Sequence, residues 1–347
     1  MEQVLRKVSQ EYQALNGTDI ERVEGKYVKD ADWPKWLHIG RPVLIENYFA
    51  FGRDEPGEEE WTDDWLVDTL GSLPLSIAVT PDGEADALKV HSDGRTYFVE
   101  PLTEQEDIGT FLASFQERAS EEDREVRYLQ SQNGNIYNAS IEETELRLLQ
   151  DHIPVDVPIV LDSLGTAPDA VNLWIGDRRS VTSLHSDPYE NVYYVVRGTK
   201  YFTLFPPTET FLFDERLYPH ATYARSPTGA LQLHPSHPVR HPPVRWLSFD
   251  PARPPSGTQP IHLTLRAGET LYLPAGWNHY VSQAGAGAGG GEGVCVAVNW
   301  WYDVQMRGMQ WVWLALLRRG TRYLEDDAEV EEEVGEEARE RDVPGAG

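Results

Sequence analysis

The segment Val181-Thr182-Ser183-Leu184-His185-Ser186-Asp187 places a histidine and an aspartate two positions apart. On an extended chain, residues i and i+2 project to the same side, so His185 and Asp187 can reach one centre together. A second histidine, His279, ends the segment Tyr272-Leu273-Pro274-Ala275-Gly276-Trp277-Asn278-His279, 94 positions after the first. Two imidazoles and one carboxylate on one face of a ferrous ion leave coordination positions open for a co-substrate and O2. Taken alone, the same residues also suit a chance pair and a histidine satisfied in a core or loop. The elements around them must decide.

From residue 171 onward the chain reads as short strands separated by Gly and Pro: Val171–Ile175, Tyr193–Val196, Lys200–Phe205, Ile261–Leu265, Thr270–Leu273 and Val294–Trp300. No helical pattern lies between them, which disfavours a parallel α/β fold and favours a sandwich, barrel or jelly roll. Such a fold can carry His279 back beside His185. Two insertions interrupt the series. Residues 225–260 are rich in Pro and His and read as a surface loop around His234, His237 and His241, and residues 284–293 are almost all Gly and Ala, a hairpin loop.

Upstream, Val4, Leu5, Val8, Tyr12 and Leu15 recur at helical spacing. After Trp33 and Trp36, the run Arg41 to Phe49 reads as a buried strand ending in a turn. Trp61 to Leu70 reads as a helix capped by Thr62. Strands over Leu75–Thr80 and Thr96–Glu100 flank a polar stretch, 81–95. A helix is expected over 104–118 through Ile108, Phe111, Leu112 and Phe115, then a strand over Arg127–Gln132. The C-terminal run Val304–Leu317 is apolar on most sides and must bury that surface on the body or on a second copy.

Composition narrows the function classes. The chain has 347 residues, 40% hydrophobic and 25% charged, with 11 Trp, 16 Tyr and 10 Phe, which is globular and rich in core-forming area. The formal net charge of −27 repels phosphate backbones, so nucleic acid is excluded as a direct partner and a basic protein or peptide is favoured. Residues 325–342 hold eleven acids and two bases, about a third of that charge, in what reads as a solvated tail. The single cysteine, Cys295, excludes an internal disulfide framework and Cys-ligated zinc, and its apolar neighbours Val294 and Val296 make it packing. The first residues form no apolar signal region and no run is long enough to span a bilayer, so the expected compartment is cytoplasm or nucleus.

Five segments together resemble the JmjC-domain 2-oxoglutarate oxygenases of the cupin superfamily. They are Asn172 to Gly176, Thr182 to Asn191, Val196 to Pro207, Ala267 to His279 and Ala297 to Tyr302, in that order, within a likeness running from Arg41-Pro42-Val43 to Trp301-Tyr302-Asp303. Within the family the chain looks most like small lysyl hydroxylases that act on developmentally regulated GTP-binding proteins. The resemblance implies a mainly β fold, a double-stranded β-helix or jelly roll with flanking N-terminal and C-terminal helices. Expected boundaries are 1–130 for N-terminal elements packed on the barrel, 131–320 for the JmjC core with its C-terminal helix, and 321–347 for a disordered acidic tail.

In that family the HxD…H residues bind Fe(II), so His185, Asp187 and His279 become the expected metal ligands. A lysine fifteen positions after the first histidine binds the far carboxylate of 2-oxoglutarate, which points to Lys200. A buried dicarboxylate needs a cation at its far end, and one ammonium supplies charge and three donors. Thr182 matches a family hydroxyl on that carboxylate, Tyr128 and Asn299 sit where relatives place further co-substrate contacts, and Asn191 is a supporting residue behind them. Read without the family, Lys200 is an exposed hairpin lysine, Tyr128 a core residue and Asn299 a partner for bulged backbone.

The implied activity is hydroxylation of a lysine side chain on a partner protein, consuming 2-oxoglutarate and O2 and releasing succinate and CO2. Hydroxylation of Asn, His or Arg, N-methyl-lysine demethylation and a non-catalytic cupin-fold binding protein are the rival readings. Asp63, Asp64, Glu190 and Asp303 are candidates for holding a cationic target. His234, His237 and His241 lie among prolines in an extended, exposed segment, and His262 reads as structural. The apolar C-terminal helix suggests a homodimer.

Overall fold

The computed structural model describes residues 2–48, 61–116, 125–130, 134–140, 143–213, 215–286, 293–304 and 308–319. The acidic tail and most of the Gly/Ala loop lie outside the described residues, as do Ser131, Gln132 and Met306.

Eight strands build a jelly roll: β1 Ala170–Gly176, β2 Val181–His185, β3 Tyr189–Arg197, β4 Thr199–Phe205, β5 Ile261–Arg266, β6 Thr270–Leu273, β7 Asn278–Ala284 and β8 Cys295–Asp303. They form two antiparallel sheets facing one another, one in the order β6-β3-β8-β1 and the other β5-β4-β7-β2. The chain crosses between the sheets at every step except β4 to β5, which are neighbours in the smaller sheet, so residues distant in sequence meet inside.

Period-2 alternation sorts the side chains. On β1, Val171, Leu173 and Ile175 pack outward into one apolar cluster, while Trp174 points into the cluster between the sheets. On β8, Val296, Val298 and Trp300 face out, and Cys295 and Ala297 face in. Outside the larger sheet, Trp33, Trp36, Leu66, Leu70, Ile108 and Phe111 cover it, all at most 2% exposed. Each side chain of this size contributes about 1.5–3 kcal/mol on burial.

Short N-terminal strands extend the larger sheet at both ends. Val43–Glu46 pairs with β6 and carries Glu21–Glu24 beside it. At the opposite edge Val126–Leu129 pairs with β1, followed by Leu75–Thr80 and Leu102–Glu106. Thr62 caps the helix Asp63–Leu70 by accepting from Trp65 N at 3.2 Å, as the sequence suggests.

Three expectations need correction. The helix expected over 104–118 begins at Ile108, because Leu102–Glu106 is an edge strand whose Glu104 and Glu106 both pair with Arg127. The polar stretch 81–95 contains two strands, Glu84–Ala85, which joins β2 in parallel, and Ala87–Val90. The 225–260 insertion is not only surface loop. Leu231–Pro235 pairs with His220–Arg225, and Val244–Trp246 forms an antiparallel ribbon with Arg216–Tyr218.

Candidate active site

The two histidines meet because β2 and β7 are antiparallel neighbours in which His185 lies directly opposite His279. Their ring centroids are 4.1 Å apart. Asp187, just past the end of β2, brings Oδ2 to 3.7 Å from His185 Nε2 and 3.5 Å from His279 Nε2. One ligand atom from each of the three residues lies within 4.8 Å of the other two, a spacing that can hold a metal ion.

The backbone fixes which nitrogen each imidazole presents. His185 Nδ1 donates to the Ser183 carbonyl at 2.8 Å, and His279 Nδ1 to the Trp277 carbonyl at 3.0 Å. Both Nε2 lone pairs are thereby turned toward Asp187. Burial, reinforced by the neighbouring His185, lowers the His279 pKa to about 4, so this imidazole is neutral at physiological pH. Burial also works against charge on His185 and on Asp187. Their mutual attraction outweighs it, raising the His185 pKa and lowering that of Asp187. A neutral imidazole, a second imidazole and a carboxylate, oriented before any ion arrives, form a donor set that fits a divalent iron.

Deeper in the barrel Lys200, on β4, is 2% exposed. Its Nζ donates to the Tyr128 hydroxyl at 3.0 Å and lies 6.0 Å from the Tyr193 ring. Burial opposes the ammonium but is outweighed by the phenol oxygens of Tyr128 and Tyr193, so the lysine titrates above its ordinary range. Among the described residues no carboxylate pairs with it. A buried cation without a counter-charge fits an anionic ligand, and orphaned polar atoms nearby fit it too. The Ser180 hydroxyl and Gln283 Oε1 are buried without hydrogen-bond partners. Tyr128, Gln283 and Ser180 all crowd Gly176, where a Cβ would stand 2.5, 2.7 and 2.8 Å from their nearest atoms.

Thr182 reaches the interior through an irregularity. Its cross-strand partner is Val281, a member of the cluster between the sheets, whereas three residues later His185 is paired with His279. Strict alternation would put positions 182 and 185 on opposite faces; the bulge between them puts both inside. Asn191 and Asn299 lie in one buried amide network. Asn299 Nδ2 donates to Asn191 Oδ1 at 3.1 Å, and Asn299 Oδ1 accepts from Trp174 Nε1 at 2.8 Å and Asn172 Nδ2 at 3.3 Å.

Other candidates serve elsewhere. Asp63, though its side chain is exposed, pairs with Arg197 at 2.6 Å, and Glu190 is buried and accepts from the Tyr272 hydroxyl at 2.7 Å, so neither is an unpartnered acid. Cys295 is buried and burial pushes its thiol up, in keeping with a packing role. His262 points outward on β5, its Nδ1 3.3 Å from Thr203 Oγ1. The sequence reading missed Tyr193, Ser180, Gln283 and Trp246. Trp246 stacks on His185 with ring centroids 5.9 Å apart and planes 4° from parallel. Nothing in a proline-rich insertion announces that contact.

Comparison with known proteins agrees with this architecture. A cupin-like domain family model matches residues 32–308. The chain is 35% identical over 277 residues to the human bifunctional peptidase and (3S)-lysyl hydroxylase JMJD7, covering 78% of this chain and 79% of that one. It is 37% identical over 305 residues to the Arabidopsis thaliana lysine-specific demethylase JMJ32, covering 83% of each. JmjC domain-containing protein E of Dictyostelium discoideum is 27% identical over 330 residues, 88% of this chain and 89% of that one. Fold, site geometry and likeness along most of the chain converge: this protein belongs to the JmjC family of cupin-like oxygenases.

Proposed function

We propose that this chain is an Fe(II)- and 2-oxoglutarate-dependent protein hydroxylase whose target is a lysine side chain on a basic partner such as a GTP-binding protein. The observation that carries this reading is Lys200. A buried ammonium lacking a carboxylate, in the same barrel as a His/Asp/His set, calls for an anionic co-substrate beside the metal.

His185, Asp187 and His279 would hold the iron, which together with 2-oxoglutarate and O2 supplies the oxidising power to hydroxylate an unactivated C–H. The rest falls to this chain's residues. Lys200 and the Tyr128 hydroxyl bind the far carboxylate of 2-oxoglutarate, with Thr182 facing the same interior. The Asn191–Asn299 network fixes the wall beside them. Neutral His279 keeps its Nε2 free of a proton at working pH. Apolar walls from Trp174, Tyr193 and Trp277 exclude water. A net charge of −27 draws in a cationic partner.

The relatives support the choice of lysine: one is named as a (3S)-lysyl hydroxylase and another as a lysine-specific demethylase. The second name keeps demethylation in view, since the metal chemistry is shared. Incubation with Fe(II), ascorbate, 2-oxoglutarate and lysine-bearing peptides separates the readings. Succinate release with one oxygen atom gained by an unmethylated lysine supports hydroxylation. Methyl loss from methyl-lysine supports demethylation, and absence of both succinate and iron binding supports a binding protein.

Two further elements belong to the proposal. The C-terminal helix Gly308–Arg319 leaves Met309, Trp311, Val312, Trp313 and Leu316 exposed, and a second copy is the partner we assign to it. Sedimentation should give a dimer that Trp311→Glu with Trp313→Glu converts to a monomer. No helix among the described residues is long and apolar enough to cross a membrane, and we assign the protein to cytoplasm or nucleus.

A further inference from the structure

Trp246 is delivered to the site by the insertion. The ribbon Val244–Trp246 pairs with Arg216–Tyr218, Trp246 lying opposite Arg216. The next residue, Leu247, is buried with Leu184, Phe205 and Phe213 and anchors the ribbon to the smaller sheet. The indole is held from two sides. Phe98 packs against it at 4.6 Å, and the His185 ring stacks on it at 5.9 Å. Its Nε1 donates to Ser183 Oγ at 3.1 Å, and Ser183 Oγ donates to the Asp86 carbonyl at 2.6 Å. Ser183 lies in the β2 irregularity, and its own carbonyl is the acceptor that orients His185 Nδ1. Asp86 holds a left-handed conformation, φ 51°, that turns the chain between the two strands following Thr80.

One residue is thus tied to His185 twice, by ring stacking and through the serine that sets its tautomer. We propose that Trp246 is a positioning residue for His185, and that the Pro/His-rich insertion is retained in the fold to supply it. The inference rests on His185, Asp187 and His279 being metal ligands. Outer partners that orient a metal-binding histidine are typically worth about 10- to 100-fold in metal affinity. Without the indole, one face of His185 loses its packing, and its ring is held by the Nδ1 bond to the Ser183 carbonyl without that support. Lys200 and Tyr128 are untouched.

The test uses Mn(II) as the probe, with free ion counted by its paramagnetic resonance, on full-length wild type, Trp246→Ala, Trp246→Phe and Ser183→Ala. Trp246→Ala should weaken Mn(II) binding about tenfold or more, and Trp246→Phe, which keeps a ring but loses the donor, about threefold. Ser183→Ala should resemble Trp246→Phe. In turnover kcat should fall while KM for 2-oxoglutarate stays within about twofold, a split that loss of fold would not produce. Should Trp246→Ala not fold, the other two variants carry the test. Wild-type binding with unchanged affinity in the folded variants overturns the role of Trp246 alone. No Mn(II) binding by the wild type overturns the metal site and this inference together.

Discussion

Lys200 Nζ and the Tyr128 hydroxyl are 3.0 Å apart across the barrel, an ammonium and a phenol from strands that belong to different sheets. If their purpose is to hold a carboxylate, the two should be separable from the metal. Lys200→Met keeps the length and removes the charge. It should raise KM for 2-oxoglutarate on the order of 100-fold, the worth of a charge-assisted hydrogen bond, while Mn(II) affinity stays within about threefold. The melting temperature of the ligand-free protein should not fall, since a buried unpaired charge is costly. Succinate assays, resonance titration and calorimetry read the three quantities. Unchanged co-substrate dependence would remove Lys200 from the site.

Gly176 tests the same pocket from the other side. An added Cβ would stand 2.5 Å from Tyr128 Cδ2, so Gly176→Ala must push the phenol away from Lys200. Overpacking of this kind costs about 1–3 kcal/mol. Urea denaturation should show that loss, and KM for 2-oxoglutarate should rise about tenfold in the folded variant, with metal affinity preserved.

How far these residues could be read in advance depends on the rule that places them. The i, i+2 spacing puts His185 and Asp187 on one side and the return of a later strand can bring His279 beside them, but it is the family resemblance that singles the three out as a ligand set. Lys200 is legible only through the family spacing. By itself the hairpin Arg197-Gly198-Thr199 says exposed, whereas β4 turns the lysine inward opposite Gln283. Thr182 escapes simple alternation because a bulge shifts its register. Leu102–Glu106 escapes for another reason. Polar residues suit a helix as well as an edge strand, and it is pairing with Leu75–Thr80 that decides. Trp246 is invisible because an insertion has no periodicity of its own; only tertiary contacts fix its place.

Glu209 gives a prediction about pH. It is fully buried, accepts from Gln13 Nε2 at 2.8 Å and Gln259 N at 3.1 Å, and burial raises its pKa from 4.5 to about 7. A carboxyl raised by folding stabilises the fold most below its unfolded value. Between pH 4.5 and about 7 the unfolded chain gives up the proton more readily, so this contribution declines as pH rises and levels off above 7. The decline should amount to about 3 kcal/mol at most. Urea unfolding across pH 4.5 to 8 should therefore be steeper for wild type than for Glu209→Gln. Parallel profiles would place the titration elsewhere.

Asp187 is the only carboxylate of the three-residue set, and its loss leaves two imidazoles facing each other. Asp187→Ala should abolish Mn(II) binding and turnover while circular dichroism of the ligand-free protein stays unchanged. Retained turnover would mean that the metal is held by other residues.

Anomalous diffraction from crystals grown with Mn(II) and 2-oxoglutarate is the most direct measurement of the metal and co-substrate sites. We expect a single strong peak within bonding distance of His185 Nε2, Asp187 and His279 Nε2, and a keto acid whose far carboxylate meets Lys200 and Tyr128. A peak bound elsewhere, or a co-substrate that leaves Lys200 without an anion, would contradict the proposed function.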